Sequence, residues 1–272
     1  MIPIKDYTEK LIDANKHWMI PIKDYTEAEE LIDANQHWLL PKHPFRLLIT
    51  GPSDSGKTNL LMNFIYDYLE FDNLFVCAKD IYEAKYSKLK ENYTMFDGVN
   101  IETIKYPKNK KKIMLELYER FGKKGTLFSN DTKEFITVDD LDLSYKNVVV
   151  FDDCVTDKDQ KSIEDFFIRG RKKNASIIYL SQNYYKTPIN IRRNCNYFIF
   201  FKLQHKDINQ IIREIDGSLT KEEFSKLYRK CMQQRFDFFM LDLATPALRY
   251  RKKYFTPINK DGRISAEENL RI

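Results

Sequence analysis

The chain has 272 residues, of which 43% are hydrophobic and 31% charged, so it can form one large globular domain or two small ones. Its 45 basic and 40 acidic residues give a net charge of +5, which permits a nucleic-acid partner without requiring one. No apolar run approaches the ~20 residues that span a bilayer, and the first residues lack the apolar core of a signal peptide. These features argue against a membrane protein and against a secreted one.

The cysteines support the same interpretation, because they are scattered and include no C-x-x-C pair. They are Cys77, Cys154, Cys195 and Cys231. This spacing argues against zinc and against disulfides, so we expect reduced thiols in an intracellular protein.

The N-terminal segment, residues 1–40, contains a near-exact tandem repeat in which residues 1–18 return as residues 19–38 with two extra residues. Two copies are too few for a repeat architecture, which needs about three units to bury a core. We expect the second copy to pack on the domain and the first to be loosely held. Duplication explains His17 and His37 better than a metal site does.

The segment Gly51–Thr58 reads G-x-x-x-x-G-K-T, between an apolar strand pattern at 45–50 and helically spaced apolar residues at 59–69. The glycines let backbone N–H groups turn toward phosphate oxygens, and the following helix adds its positive dipole end. Lys57 is predicted to reach the β- and γ-phosphates of ATP, and Thr58 to bind Mg²⁺. The predicted nucleotide-binding residues are Gly51, Pro52, Ser53, Asp54, Ser55, Gly56, Lys57, Thr58 and Asn59. The alternative is a turn that binds nothing, but with eight glycines in the whole chain a chance match is rare.

Residues 73–145 show weaker patterns. Strands are predicted at 73–78 and 99–104, and helices at 81–90 and 110–121. Residues 122–145 are polar, which predicts an inserted loop or small hairpin. The acidic cluster within that stretch, Asp139, Asp140 and Asp142, is better explained as a solvated face than as a metal site.

A second informative stretch is the apolar run 148–151 followed by Asp152 and Asp153. It predicts a central parallel strand with two carboxylates at its C-terminal end, the edge at which open α/β sheets bind ligands. Such a strand is common by itself, but its position about ninety residues after a P-loop favours a Walker B motif. Asp152 is then predicted to hold Mg²⁺, and Asp153 to polarise the attacking water.

The next strand, predicted at 175–183, carries Gln182 at its tip. A glutamine there can hydrogen-bond the γ-phosphate and the lytic water, although a polar residue that merely closes a strand is the alternative. The helix predicted before it, 158–169, ends in a basic cluster around Gly170. A helix cap with cations matched to the dipole explains that cluster as well as a functional role does.

The C-terminal third is predicted to complete an α/β fold with a mainly parallel sheet flanked by helices. Its predicted elements are a turn with two arginines at 188–194, a core strand at 196–202, helices at 205–215 and 220–231, a hairpin formed by 236–242 and 247–251, and a polar tail at 256–272. Residues 41–255 would then form one domain.

Four segments occur in order: GPSDSGKT, VVVFDDC, FFIRGRKKNASIIYLSQN and TPINIRRNCNYFIFFKL. Together they resemble the poxvirus-type DNA-packaging ATPases of nucleocytoplasmic large DNA viruses, with relatives in virophages and Maverick-like elements, within the FtsK–HerA group of ring-forming motors. The resemblance covers roughly residues 40–205. It implies a RecA-like P-loop core, a hexameric ring and translocation of double-stranded DNA into a capsid. The chain departs from the wider group at Asp153, where glutamate is usual, and its N-terminal duplication has no counterpart there.

The leading hypothesis is therefore a DNA-translocating ATPase that uses ATP and Mg²⁺, contacts DNA through phosphates, and acts in the host cytoplasm or nucleus or in the virion. A neighbouring subunit would supply an arginine to each site. The candidates are Arg169, Arg171, Arg192 and Arg193, with Arg171 and Arg193 preferred. The alternatives are a nucleotide-gated scaffold with slow hydrolysis, and a single-strand helicase, whose aromatic stacking platforms would have to come from residues that read mostly as core.

Overall fold

The computed structural model describes residues 39–78, 84–86, 100–103, 125–129, 137–154, 160–215, 219–245 and 249–258. The tandem repeat and the helix predicted at 110–121 lie outside these ranges. Within them, no helix is long and apolar enough to cross a membrane.

One sheet organises the described residues. Its strands are β1 (Arg46–Thr50), β2 (Asn73–Ala78), β3 (Asn100–Thr103), β4 (Gly125–Ser129), β5 (Asn147–Asp152), β6 (Ala175–Ser181), β7 (Tyr197–Phe200), β8 (Phe239–Asp242), β9 (Tyr250–Lys252) and β10 (Thr256–Pro257). Their spatial order is β10-β9-β8-β7-β1-β6-β5-β2-β4-β3. The seven strands from β7 to β3 are parallel, and β8, β9 and β10 extend the sheet antiparallel from β7.

Helices cover both faces of this sheet. They are α1 (Lys57–Asp67), α2 (Gln160–Arg169), α3 (Ile189–Asn194), α4 (His205–Glu214) and α5 (Lys221–Cys231), with short 3₁₀ turns at Val138–Asp140 and Gly170–Lys173. Residues 84–86 are also helical. These bounds confirm four predicted helices, and every observed end lies within two residues of its prediction. The predicted ranges are 59–69, 158–169, 205–215 and 220–231.

The core lies in two layers because alternate residues of each parallel strand face opposite sides of the sheet. Leu47 and Ile49 of β1 pack on the α1 side with Leu60 and Phe64. Leu48 packs on the other side, in the cluster that contains the buried faces of α2, α4 and α5. Strands buried on both faces read as continuous apolar runs, which is why the sequence predicts β1, β5 and β6 so clearly. The predicted α/β class with a mainly parallel sheet is confirmed.

Three local predictions are wrong. The stretch 122–145 contains β4, a parallel strand of the main sheet, and is not only an inserted loop or hairpin. Residues 188–194 form α3 behind Pro188 rather than a turn, since the buried Ile191 and Arg192 anchor one side of the segment. Gly170 does not cap α2, because a 3₁₀ turn follows and Asn174 takes the left-handed conformation at φ 49°.

The C-terminal strands confirm the predicted hairpin and extend it. β8 pairs with β9, and β10 then adds a third antiparallel strand from the segment predicted as a tail. Ile258 is buried behind it, and residues 259–272 lie outside the described ranges. Because β8 runs opposite to β7, the loop before β8 lies at the carboxyl edge of the parallel strands.

Candidate nucleotide-binding site

The P-loop adopts the predicted strand–loop–helix geometry, with β1 ending at Thr50 and α1 beginning at Lys57. Both glycines of the loop have a structural reason. Gly56 has φ 98°, a conformation that other residues rarely adopt, and a Cβ at Gly51 would lie 2.6 Å from Cβ of Phe201. Both glycines are therefore needed for the loop to adopt this shape against its neighbouring side chains.

Lys57 lies inside this loop. Its ammonium donates hydrogen bonds to the carbonyl oxygens of Gly51 and Pro52, both at 2.8 Å. Burial lowers the pKa of Lys57, while the nearby carboxylates of Asp152 and Asp153 oppose that shift. The lysine is thus close enough to the end of β5 to interact electrostatically with both acids.

The loop supplies the donors that a phosphate group needs. An α-helix leaves its first four N–H groups without partners inside the helix, and in α1 these follow directly from the loop. Ser55 Oγ is buried, and no residue in the described part of the chain hydrogen-bonds it. With the Lys57 ammonium, these donors fit a bound phosphate.

Oxygen ligands suited to Mg²⁺ lie beside the lysine. Thr58 and Asp152 are both half-buried, one on the first turn of α1 and the other at the end of β5. A hydroxyl and a carboxylate are hard ligands of the kind that Mg²⁺ binds through one or two protein groups plus phosphate and water. The residues present therefore fit a magnesium ion.

Gln182 joins the P-loop to Asp153, the acid that directly follows β5. Its amide nitrogen lies 3.1 and 3.2 Å from the two carboxylate oxygens of Asp153. Its amide oxygen accepts a hydrogen bond from Ser53 Oγ at 3.3 Å. The parallel register of β5 and β6, in which Asp153 N donates to Leu180 O, brings these residues together. Three predicted segments thus meet in one hydrogen-bonded row.

Tyr86 is a site residue that the sequence analysis missed. It is buried, and its hydroxyl donates a hydrogen bond to the Asp152 carboxylate. A tyrosine in a helical stretch reads as core, so no sequence signal points to this contact. Tyr86 orients the carboxylate predicted to hold the metal.

The four candidate arginines all precede the N-terminal ends of β6 and β7, which is the edge of the sheet opposite the P-loop. β6 has seven residues, so at about 3.3 Å per residue its ends lie about 20 Å apart. Arg169 and Arg171 thus lie at the edge away from the P-loop, whereas the Arg192 guanidinium reaches back to the carbonyl oxygen of Tyr184, beyond the end of β6.

Two of these arginines are engaged within the chain. Arg169 pairs with Asp165 at 2.8 Å and with Asp139, which explains part of the acidic cluster. Arg192 is buried, pairs with Glu214 at 3.2 Å and stacks on Tyr184. Arg171 and Arg193 are exposed and form no ion pair with another described residue.

Comparisons with known proteins identify the family. The family model described as Poxvirus A32 protein matches residues 35–235 of the 272. The chain belongs to this family. The predicted resemblance to poxvirus-type packaging ATPases is confirmed.

Curated relatives of this A32-family chain include the DNA packaging protein OPG160 of Variola virus, 28% identical over 181 residues, or 64% of this chain and 59% of the relative. The protein of the same name from Vaccinia virus strain Copenhagen is 27% identical over 181 residues. The chain thus spans about three fifths of the length of the curated relatives it matches.

Solved structures show the same fold. The genome packaging NTPase B204 of Sulfolobus turreted icosahedral virus 2, in complex with sulfate, superposes with a TM-score of 0.54 at 14% identity and covers 80% of this chain and 99% of its own. The B204 complex with AMPPCP has a TM-score of 0.50, also at 14% identity, and covers 73% of this chain and 92% of its own. At this identity the likeness concerns the fold.

Proposed function

We propose that this A32-family chain is an ATP-driven motor that translocates double-stranded DNA and packages a viral or virus-like genome into a capsid. The observation that carries the proposal is the row Ser53–Gln182–Asp153 beside the buried Lys57. It aligns a phosphate-binding loop with a carboxylate that can act as a base. The names of the curated relatives, DNA packaging proteins, and the AMPPCP bound by B204 support the same assignment.

The chemistry follows from these side chains. Lys57 and the first-turn amides of α1 would bind the β- and γ-phosphates of ATP. Thr58 and Asp152 would hold Mg²⁺, which neutralises phosphate charge. Asp153 would accept the proton of the attacking water. Gln182 would keep the Asp153 carboxylate oriented toward the P-loop. Tyr86 would hold Asp152 in position.

Assembly would complete the site. Hydrolysis benefits from a cation that stabilises charge developing on the transferred phosphoryl group. Arg171 and Arg193 are exposed and lie at the far edge of the sheet, so either could reach the nucleotide of a neighbouring copy but not its own. A closed ring, which the family resemblance implies to be hexameric, supplies such neighbours. DNA would contact Lys and Arg side chains through its phosphates, without base readout.

Two other functions make different predictions. A nucleotide-gated scaffold would bind ATP, hydrolyse it slowly and ignore DNA. A single-strand helicase would prefer single-stranded DNA and present exposed aromatic side chains along a groove. In the described part of the chain most large aromatic side chains are buried in the core, which favours the duplex motor over the helicase.

The test is ATP hydrolysis by the purified chain with duplex DNA, with single-stranded DNA and without DNA, over a range of salt. We expect stimulation by duplex DNA that falls steeply as salt rises, because phosphate contacts release counterions. Asp153→Asn is the control for contaminating ATPases. Hydrolysis indifferent to DNA at low salt would favour the scaffold, and stronger stimulation by single strands would favour the helicase.

A further inference from the structure

An exposed aromatic ring lies against the phosphate loop. Phe236 is 42% exposed, yet a Cβ at Gly56 would lie 3.2 Å from its Cδ1 and 3.8 Å from its Cε1. The ring therefore meets the loop through one edge. Gly56 directly precedes Lys57, so the ring is next to the predicted phosphate site. The ring of Phe236 thus packs partly against Gly56 and leaves the rest of its surface in water.

The loop that carries Phe236 is held firmly at this edge of the sheet. β8 is antiparallel to β7, with Phe239 opposite Phe200, so residues 232–238 end beside the P-loop. The Asp237 carboxylate accepts hydrogen bonds from the backbone N–H groups of Gln233 and Gln234 at 3.1 and 3.0 Å. Phe238 is buried against Phe201, with 5.7 Å between ring centroids. The position of Phe236 is thus set by the fold.

A cation covers one face of the ring. The Arg235 guanidinium carbon lies 5.0 Å from the centroid of Phe236. The 42% exposure of Phe236 means that part of the ring stays accessible to a flat ligand beside these two contacts. Stacking of aromatic side chains and guanidinium groups on bases is a common mode of nucleotide recognition.

We propose that Phe236, backed by Arg235, is the platform on which the base of the bound nucleotide stacks. The proposal rests on the proposed function, because it assumes that Lys57 and the loop hold the phosphates. It adds a nucleoside subsite from the loop between α5 and β8, which belongs to none of the sequence motifs. A stacking face recognises a flat ring rather than its hydrogen-bonding edge, so ATP and GTP should gain similarly from Phe236.

The experiment compares ATP with inorganic tripolyphosphate, which carries the phosphates without a base, by titration calorimetry of the full chain with Mg²⁺. Phe236→Ala should weaken ATP binding about tenfold, the range expected for loss of one stacked base, and leave tripolyphosphate binding unchanged. Phe236→Leu keeps apolar bulk against Gly56 without an aromatic face and should show the same selective loss. Leu143→Ala, which removes a 62% exposed apolar side chain at the opposite edge of the sheet, should change neither affinity.

A spectroscopic variant gives an independent result. Phe236→Trp should keep ATP affinity, and its fluorescence, after subtraction of the signal of Trp18 and Trp38, should be quenched by ATP and not by tripolyphosphate.

The proposal is overturned if Phe236→Ala and Phe236→Leu bind ATP as the unmodified chain does, or if they lose affinity for ATP and for tripolyphosphate equally. If the unmodified chain binds the two ligands equally, the base platform fails while the phosphate site stands. If it binds neither, the proposed function fails as well.

Discussion

The two edges of the parallel sheet carry polar groups of different kinds. At the carboxyl edge, Ser53, Gln182 and Asp153 form one hydrogen-bonded row, and the Lys57 ammonium is held by the Gly51 carbonyl of the same loop. At the opposite edge, Arg171 and Arg193 are exposed without an ion pair among the described residues, about 20 Å away along the strands.

The difference suggests that one edge binds the nucleotide and the other supplies the arginine that completes the site of a neighbouring copy. Under the proposed function, the carboxyl edge would bind the phosphate chain and activate water within one copy of the protein. The exposed arginines of the other edge lie too far away to act on the same nucleotide. If they contribute to hydrolysis, they do so in a neighbouring copy, and the comparison can be tested by changing one edge at a time.

The largest effect is expected from Lys57→Ala. Removal of the buried ammonium should weaken ATP binding by about 10²-fold or more, since a charge-assisted contact to phosphate is lost, and should abolish hydrolysis. Titration with ATP, after circular dichroism has shown a folded chain, measures it. Lys172→Ala removes an exposed cation from the opposite edge and should bind ATP normally. Unchanged ATP affinity in Lys57→Ala would refute the assignment of the loop.

At the other edge, Arg171→Ala or Arg193→Ala should bind ATP normally but hydrolyse it about 10³-fold more slowly, the lower range for a lost arginine finger. Each inactive variant is then mixed with Asp153→Asn. Activity should partly return, because some sites pair an intact Asp153 with a neighbour's intact arginine.

The control for this experiment is again Lys172→Ala, which should hydrolyse ATP at the unmodified rate, alone and in mixtures. Ring formation is checked by mass. Rings in which every mixture stays inactive would show that these arginines do not act between copies.

Asp153→Asn should bind Mg-ATP and lose about 10²- to 10⁴-fold in hydrolysis rate, because an amide cannot accept the proton of the attacking water. Gln182→Ala should lose less, since the carboxylate remains and only its orientation relaxes. Single-turnover hydrolysis of radiolabelled ATP compares the two. Hydrolysis by Asp153→Asn at the unmodified rate would place the base on another residue.

The smallest effect is expected from Ser53→Ala. The variant removes one hydrogen bond to Gln182 in an exposed part of the loop, which corresponds to about a two- to tenfold lower hydrolysis rate with ATP affinity unchanged. Steady-state kinetics at saturating ATP measures it. A loss as large as that of Gln182→Ala would mean that Ser53 positions the glutamine almost alone.

The sequence by itself determined the P-loop, the two acids of β5 and the parallel sheet. These features are local: a glycine loop, a lysine and a following helix are contiguous, and a strand buried on both faces must be an unbroken apolar run. Gln182 could be placed at the same edge because parallel strands end together.

Only the tertiary structure decided which partners the remaining side chains find. β4 was missed because a short strand in polar surroundings gains its hydrogen bonds from β2 and β3, far along the chain. Four similar arginines became two buried or paired ones and two exposed ones. Tyr86 and Phe236 lie at the site because segments distant in sequence pack together there. Sequence periodicity cannot distinguish these aromatic residues from core residues, because site and core aromatics are apolar and occur at the same spacing.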